Sequence, residues 1–200
     1  MKKTFYVLAC IMAVAALTLS GCKKDNDGDN NGGNGGNGGG GTTIVNGDIE
    51  VDGNGNAVHN GSGTVTIDGV EYAINVARLQ DYAFDEERNS VVNLYTEYAP
   101  NANSYQGVRV SLQFNNTNAA SGDYISDEGG DVYLAVELAS PFKGYVFTNE
   151  IHFTRNSNNS ITLEALQENV PGSNADGNNI QANSISVSYS GPCYYKQWSY

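Results

Sequence analysis

Residues 64–76 read TVTIDGVEYAINV, and this stretch decides the fold. Apolar and polar side chains alternate with a period of two on both sides of Asp68-Gly69, as they do in the strands of a half-buried sheet. Asp-Gly is a favoured two-residue hairpin turn because both of its positions need a positive φ. With that turn, Val65 pairs with Tyr72 and both strands place apolar side chains on one face. We therefore predict an antiparallel hairpin here.

The same alternation recurs along the rest of the chain. Strong strands are predicted at 108–114, 132–138 and 185–189, and a second hairpin at 151–165; weaker strands are predicted at 44–51, 91–98 and 145–147. Residues 77–88 fit either a short helix or an irregular loop, and residues 169–179 are predicted to form an exposed, turn-rich loop. The pattern predicts an all-β fold, an antiparallel β-sandwich or a partly closed β-barrel of about 8–10 strands.

Composition and charge exclude several classes of protein. The 200 residues include 22 Asp and Glu against 10 Lys and Arg, which gives a formal net charge of −12 at pH 7. A surface of this charge repels nucleic acid, so we expect no nucleic-acid partner. Thirteen Tyr and 24 Gly with only 2 Met are not typical of an all-helical protein. The phosphate-loop, His-Glu-x-x-His and Gly-x-Ser-x-Gly motifs are missing, so we expect neither catalysis nor a cofactor.

Residues 1–22 have the organisation of an export signal. Lys2 and Lys3 precede an apolar run of about 15 residues, which is too short to cross a bilayer comfortably. Leu19-Ser20-Gly21-Cys22 then matches the lipobox of bacterial lipoproteins, in which the cysteine thiol receives a diacylglycerol. An ordinary signal peptide with a coincidental cysteine is the alternative. We predict lipidation of Cys22, which would attach the protein to a membrane without a transmembrane helix.

Residues 23–41, KKDNDGDNNGGNGGNGGGG, contain no apolar side chain and predict a flexible tether. Lys23 follows the cysteine where an Asp would signal retention in the inner membrane, so the outer membrane is expected. The start of the tether, Cys22-Lys23-Lys24-Asp25-Asn26-Asp27, resembles the Lys- and acid-rich export signal of surface lipoproteins of the Bacteroidota. That resemblance implies a protein that faces the extracellular medium, and it carries no information on activity.

Residues 42–200 are left as a single all-β domain. Its pattern resembles the small β lipoproteins of the Bacteroidota, many of which open with a hairpin like 63–72 and carry a Ser-Gly-x-Tyr step like 121–124. The resemblance implies the β fold. It brings no catalytic residues, because most of these families have no assigned activity.

The candidate binding residues are aromatic and acidic side chains at predicted outward strand positions and at the C-terminus. They are Tyr95, Glu97, Tyr133, Glu137, Tyr194, Tyr195 and Trp198. Sugar-binding sites use such residues, with an aromatic ring against the C–H face of a pyranose and polar groups around its rim. Tyr is also a common strand residue that buries its ring, and a last strand packed on the sheet is the alternative for residues 194–200.

The histidines, the cysteines and the remaining carboxylates are expected to be structurally ordinary. His59 and His152 are the only histidines, and both are predicted to be solvated, so no metal site is expected. The carboxylates of Glu71, Glu137 and Glu164 are predicted to project outward and stay ionised. Cys193 is left alone once Cys10 leaves with the signal peptide and Cys22 is lipidated, and we expect an inert, buried thiol.

These expectations favour a non-catalytic binding module for an extracellular ligand such as a glycan. A structural or interaction subunit of an outer-membrane envelope complex is the alternative, and a carbohydrate-active enzyme ranks third. The membrane partner in each case is reached through the lipid on Cys22.

Replacing Cys22 with Ser should abolish incorporation of radiolabelled palmitate, because the acylated thiol is removed. Cys193→Ser is the matched control and should be labelled as strongly as the original chain. An unlabelled original chain, or a labelled Cys22→Ser chain, would contradict the lipoprotein assignment.

Overall fold

The computed structural model describes residues 42–84 and 87–199. The predicted signal peptide, with its lipidation site at Cys22, and the predicted tether at 23–41 lie outside the described residues. Within the described ranges, no helix has both the length and the apolar character needed to cross a membrane.

Fourteen strands follow one another along the described chain. They are β1 (Thr43–Val45), β2 (Ile49–Val51), β3 (Ser62–Ile67), β4 (Val70–Ile74), β5 (Val76–Phe84), β6 (Glu87–Ala99), β7 (Ser104–Phe114), β8 (Gly122–Ile125), β9 (Val132–Ala139), β10 (Phe142–Val146), β11 (Glu150–Arg155), β12 (Ser160–Asn174), β13 (Asn179–Pro192) and β14 (Tyr194–Ser199). The predicted all-β fold class is confirmed.

Ten strands form one continuous hydrogen-bonded path, in the order β14-β5-β6-β7-β9-β10-β12-β13-β3-β4. The far end of this path returns to its beginning, because only Asn75 separates β4 from β5. The backbone N–H of Asn75 donates to the carbonyl oxygen of Tyr95 in β6 at 3.0 Å, and its side-chain amide donates to that of Thr96 at 3.1 Å. The sheet therefore curls back on itself as a partly closed barrel.

The remaining strands are attached to this barrel in two places. Strand β12 is long enough to pair on one edge with both β10 and β11, and β8 pairs with the far side of β11. Strands β1 and β2 form a separate two-stranded hairpin. All pairs are antiparallel except β14 with β5, which run parallel.

The inner face of the curled sheet holds the main hydrophobic core. The predicted apolar stripe of β7 (Val108, Val110, Leu112 and Phe114) is fully buried there, and Leu134 and Val136 of β9 lie opposite it. A smaller core forms between the β1–β2 hairpin and the outside of β5 and β6. The alternation of apolar and polar residues in the sequence therefore predicts correctly which side chains of β7 face the core.

Both predicted hairpins are present. Asp68 and Gly69 have φ of 50° and 81°, the positive values that the two-residue turn requires. Val65 pairs with Tyr72 as expected. The second hairpin pairs β11 with β12 from Ile151 to Arg155.

Two segments differ from their predictions. Residues 77–88, expected to be a helix or a loop, instead form β5 and the start of β6 on either side of residues 85–86. Strand β5 is buried on both faces, with Leu79 in the main core and Arg78 under the β1–β2 hairpin, so its sequence does not alternate. Residues 169–179, expected to be a loop, mostly extend β12 and β13, and only residues 175–178 lie between these strands. Solvent-facing strand positions explain the polar composition there.

Gly172 of β12 lies between two pairing partners, Tyr145 of β10 and Ile180 of β13, and a side chain does not fit there. A Cβ atom on Gly172 would meet the carbonyl oxygen of Gly144 at 2.2 Å. Gly172→Ala should therefore lower the free energy of unfolding by about 1–3 kcal/mol, the usual range for overpacking. Urea denaturation measures the change. Gly53→Ala is the matched control and should leave the stability nearly unchanged, since no atom lies within 4 Å of its Cβ position. Equal stability of the two variants would contradict the close packing of β10 against Gly172.

Candidate functional site

Most of the predicted binding residues project from one side of the sheet. Residues that pair directly on neighbouring strands share a face, and alternate residues of one strand do too. Tyr95 pairs with Arg109, and Arg109 pairs with Glu137. Tyr82 pairs with Trp198 on β14. We call this side of β14, β5, β6, β7 and β9 the outer face; of the predicted residues, it carries Tyr95, Tyr133, Glu137, Tyr194 and Trp198.

The β14 edge of the outer face is an aromatic platform. The rings of Trp198 and Tyr82 are parallel within 1°, with their centroids 6.5 Å apart. The ammonium of Lys196 lies 3.7 Å from the centroid of the Trp198 ring, a cation–π contact, and donates to the backbone carbonyl of Asn46. The indole N–H of Trp198 is buried, with no hydrogen-bond acceptor among the described residues. All three platform side chains remain partly accessible to solvent.

Glu137 is placed differently from its prediction. The strand register points it outward as expected, yet the residue is buried, with 6% of its surface exposed. Its carboxylate accepts hydrogen bonds from the Arg109 guanidinium and, at 3.0 Å, from the Tyr105 hydroxyl. Burial and the Glu137 carboxylate together raise the pKa of Tyr105 well above its ordinary value. Alternation in the sequence cannot reveal such lateral partners, and here it wrongly implied a solvated carboxylate.

Tyr95 and Tyr194 also lie on the outer face but are partly or wholly covered. Tyr95 is buried, and its ring stacks on that of Tyr98 with the centroids 4.4 Å apart. The Tyr194 hydroxyl donates to the carbonyl of Val58 at 2.9 Å. The β1–β2 hairpin accounts for this cover, because its residues form the smaller core with Tyr95 and Tyr98. Neither ring is free to stack on a ligand in this arrangement.

A buried ion pair fixes the β1–β2 hairpin over the outer face. The Arg78 guanidinium donates two hydrogen bonds to the Asp48 carboxylate, at 2.9 and 3.1 Å. The two side chains are 8% and 2% exposed. This pair was not anticipated from the sequence, since 30 residues separate its members and neither belongs to a recognisable motif.

Tyr195 lies on the inner side, in a cluster that we name the Asp81 cluster (Asp81, Ser90, Arg155 and Tyr195). The Asp81 carboxylate accepts hydrogen bonds from the Ser90 hydroxyl at 2.5 Å, from Arg155 at 2.9 Å and from the Tyr195 hydroxyl at 3.0 Å. The Arg155 guanidinium also lies over the Tyr195 ring, 5.1 Å from its centroid. Tyr195 therefore helps to hold the last strand in place.

Glu97 lies just beyond an irregularity in the pairing of β6 with β7. The register of β6 and β7 shifts between Tyr95 and Glu97, so the regular alternation is interrupted there. Glu97 lines a cleft of about 300 Å³ with Asp52, His59 and Tyr98. The Tyr98 ring in turn stacks on that of Tyr95. The predicted common face of Tyr95 and Glu97 stays a prediction.

A larger cleft, of about 500 Å³, contains none of the predicted binding residues. It is lined by Thr148, Asn149, Leu166, Gln167 and Glu168, where β12 changes partner from β11 to β10. Gln167 and Thr148 already bond to each other there, at 2.7 and 3.1 Å. The polar groups of this cleft serve to close the gap between the two partner strands.

Cys193 is buried, as expected for an inert thiol. Its thiol donates to the carbonyl of Asn159 at 3.0 Å. Burial raises the pKa of the Cys193 thiol to about 11, so the nucleophilic thiolate is scarce at neutral pH.

Comparison of the chain with protein-family models, with curated proteins and with solved structures found no match. Functional inference therefore depends on the chemistry of the outer face and of the other exposed clusters.

Proposed function

We propose that the protein is a lipid-anchored lipoprotein of the cell surface whose outer face binds an extracellular glycan without chemical conversion. The observation that supports this most directly is the parallel pair of Trp198 and Tyr82, with the Lys196 ammonium beside it. Flat aromatic surfaces pack against the C–H faces of sugars, and the Trp198 side chain is partly accessible to solvent.

The outer face continues from this platform across the sheet. Lys196, Gln80, Val91, Gln113 and Tyr133 pair in succession and form one row across five strands. At about 4.8 Å between strands, the row is about 19 Å long. Tyr133 lies at one end of the row and Trp198 lies beside the other end. Between them, the Gln113 side chain is half-buried and Gln80 is buried. This order suits a chain of several sugar rings better than a single small molecule.

The state of Glu137 supports binding over hydrolysis. Glycoside hydrolysis needs two free carboxyl groups a few ångströms apart, one of them with a raised pKa. On the outer face, Glu137 is held by Arg109 and Tyr105. The Glu137 carboxylate therefore holds the Arg109 and Tyr105 side chains in place, and we assign no chemical step to the protein.

The proposed location follows from the N-terminal sequence. A lipid on Cys22 would anchor the chain in the outer membrane, and the tether at 23–41 would let the β domain extend toward the medium. An extracellular polysaccharide would be within reach of a domain held in this way.

A second candidate function, an interaction subunit of an envelope complex, is favoured by the sheet edge at β14. Among the described strands, β14 pairs only with β5, which leaves the other edge of Tyr194–Ser199 unpaired. An unpaired edge can accept a strand from another protein. Co-purification from detergent-solubilised outer membrane distinguishes this function, since it predicts a stoichiometric protein partner and the glycan proposal does not.

Trp198→Ala should weaken glycan binding by the full-length protein about tenfold or more, because the larger ring of the platform is lost. Affinity electrophoresis through gels that contain a panel of polysaccharides measures the effect. Trp198→Phe should retain part of the affinity, because it keeps an aromatic ring.

Leu166→Ala is the control, since Leu166 is 62% exposed and lies on β12, outside the outer face. It should bind as the original chain does, and thermal unfolding should show that each variant is folded. The proposal fails if the original chain is retarded by no polysaccharide, or if Trp198→Ala binds as tightly as Leu166→Ala.

A further inference from the structure

An exposed cluster on β8 and β11 combines an imidazole with two carboxylates. His152 pairs directly with Asp123 across these strands, and its Nδ1 lies 2.5 Å from the Asp123 Oδ1. Glu150 precedes His152 by two residues and so projects from the same side of β11. One side-chain ligand atom from each of the three residues lies within 4.8 Å of those from the other two.

The backbone that carries this cluster is fixed by the core. Ile151 and Phe153, on either side of His152, are 0% and 1% exposed. Strand β11 is also held on both edges, by β8 and by β12. The Cα positions of the three residues are therefore set by the sheet, while their exposed side chains can still change rotamer.

A third carboxylate adds negative charge beside the imidazole. Glu164 of β12 pairs with His152 on the side opposite to Asp123. His152 thus has an acidic residue on each neighbouring strand and a further one, Glu150, on its own strand. The sequence-based expectation of a simply solvated histidine did not include these neighbours, because 29 residues separate Asp123 from His152.

We propose that Asp123, Glu150 and His152 bind a first-row transition-metal dication such as Zn²⁺. Imidazole nitrogen with carboxylate oxygen is a donor set for Zn²⁺ and Cu²⁺, whereas Ca²⁺ takes six to eight oxygen ligands. Metal–ligand bonds of about 2.0–2.2 Å need ligand atoms about 3.4 Å apart in a tetrahedral site. Small rotations of the exposed Glu150 and Asp123 side chains bring the three donors to that spacing, and water completes the coordination.

The proposal is independent of glycan binding. The cluster lies on β8 and β11, which contribute nothing to the outer face, so either proposal can fail without the other. A bound metal would join β8, which pairs only with β11 among the described strands, more firmly to the barrel.

Isothermal titration of the full-length protein with ZnCl₂ alone, without a polyhistidine tag, tests the site. One Zn²⁺ per chain is expected. His152→Asn should raise the dissociation constant for Zn²⁺ about tenfold or more, because the nitrogen ligand is lost. Asp123→Asn should raise it as well. The chain contains only two histidines, so His59→Asn is the matched control and should bind as the original does.

Absence of saturable Zn²⁺ binding by the original chain would overturn the proposal. So would retention of full affinity by His152→Asn, or its loss in His59→Asn. Titration with CaCl₂ tests the choice of metal: tighter binding of Ca²⁺ than of Zn²⁺, sensitive to Asp123→Asn but not to His152→Asn, would overturn the assignment to a transition metal.

Discussion

The buried carboxylate of Asp81 connects four strands, three of the barrel and one attached to it. It belongs to β5 and accepts hydrogen bonds from Ser90 of β6, Arg155 of β11 and Tyr195 of β14. A carboxylate that is largely withdrawn from water is costly unless it is paired and hydrogen-bonded, so these partners hold one another in place. Among the described strands, the last strand pairs only with β5. The Asp81 cluster strengthens this attachment from the inner side, and Tyr194 and Lys196 add hydrogen bonds to Val58 and Asn46 on the outer side.

The orientation of β14 follows from this anchor. Successive side chains of a strand point to opposite faces, so an inward Tyr195 places Tyr194, Lys196 and Trp198 on the outer face. Trp198 then comes to lie parallel to Tyr82 of the neighbouring strand. The aromatic platform is therefore a consequence of a polar contact on the opposite side of the sheet.

Strand β5 carries a second buried charge on its other face. Arg78 pairs with Asp48 and holds the β1–β2 hairpin over one part of the outer face. This cover buries Tyr95, while Tyr82 and Tyr133 stay half-exposed. The Arg78–Asp48 contact of β5 thus determines which part of the outer face is covered by the hairpin and which part is exposed to solvent.

The sequence predicted the elements whose information is local. Alternation and the Asp68-Gly69 turn were sufficient for the first hairpin, and alternation alone for the inner face of β7. Strand β5 escaped prediction because burial on both faces removes alternation. Glu137 was misplaced because its partner Arg109 lies on another strand, 28 residues away. Metal donors and platform rings likewise become neighbours only through strand pairing, which the local pattern does not encode.

Hydrogen–deuterium exchange of the peptide that covers β14 tests the central claim, that the Asp81 cluster holds the last strand. In the original chain, the amides of Tyr194–Ser199 that bond to β5 should be protected. Asp81→Asn should remove that protection and leave β12 and β13 protected, and Asp127→Asn, in an exposed loop, should change neither. Rapid exchange of β14 in the original chain, or unchanged protection in Asp81→Asn, would contradict the account.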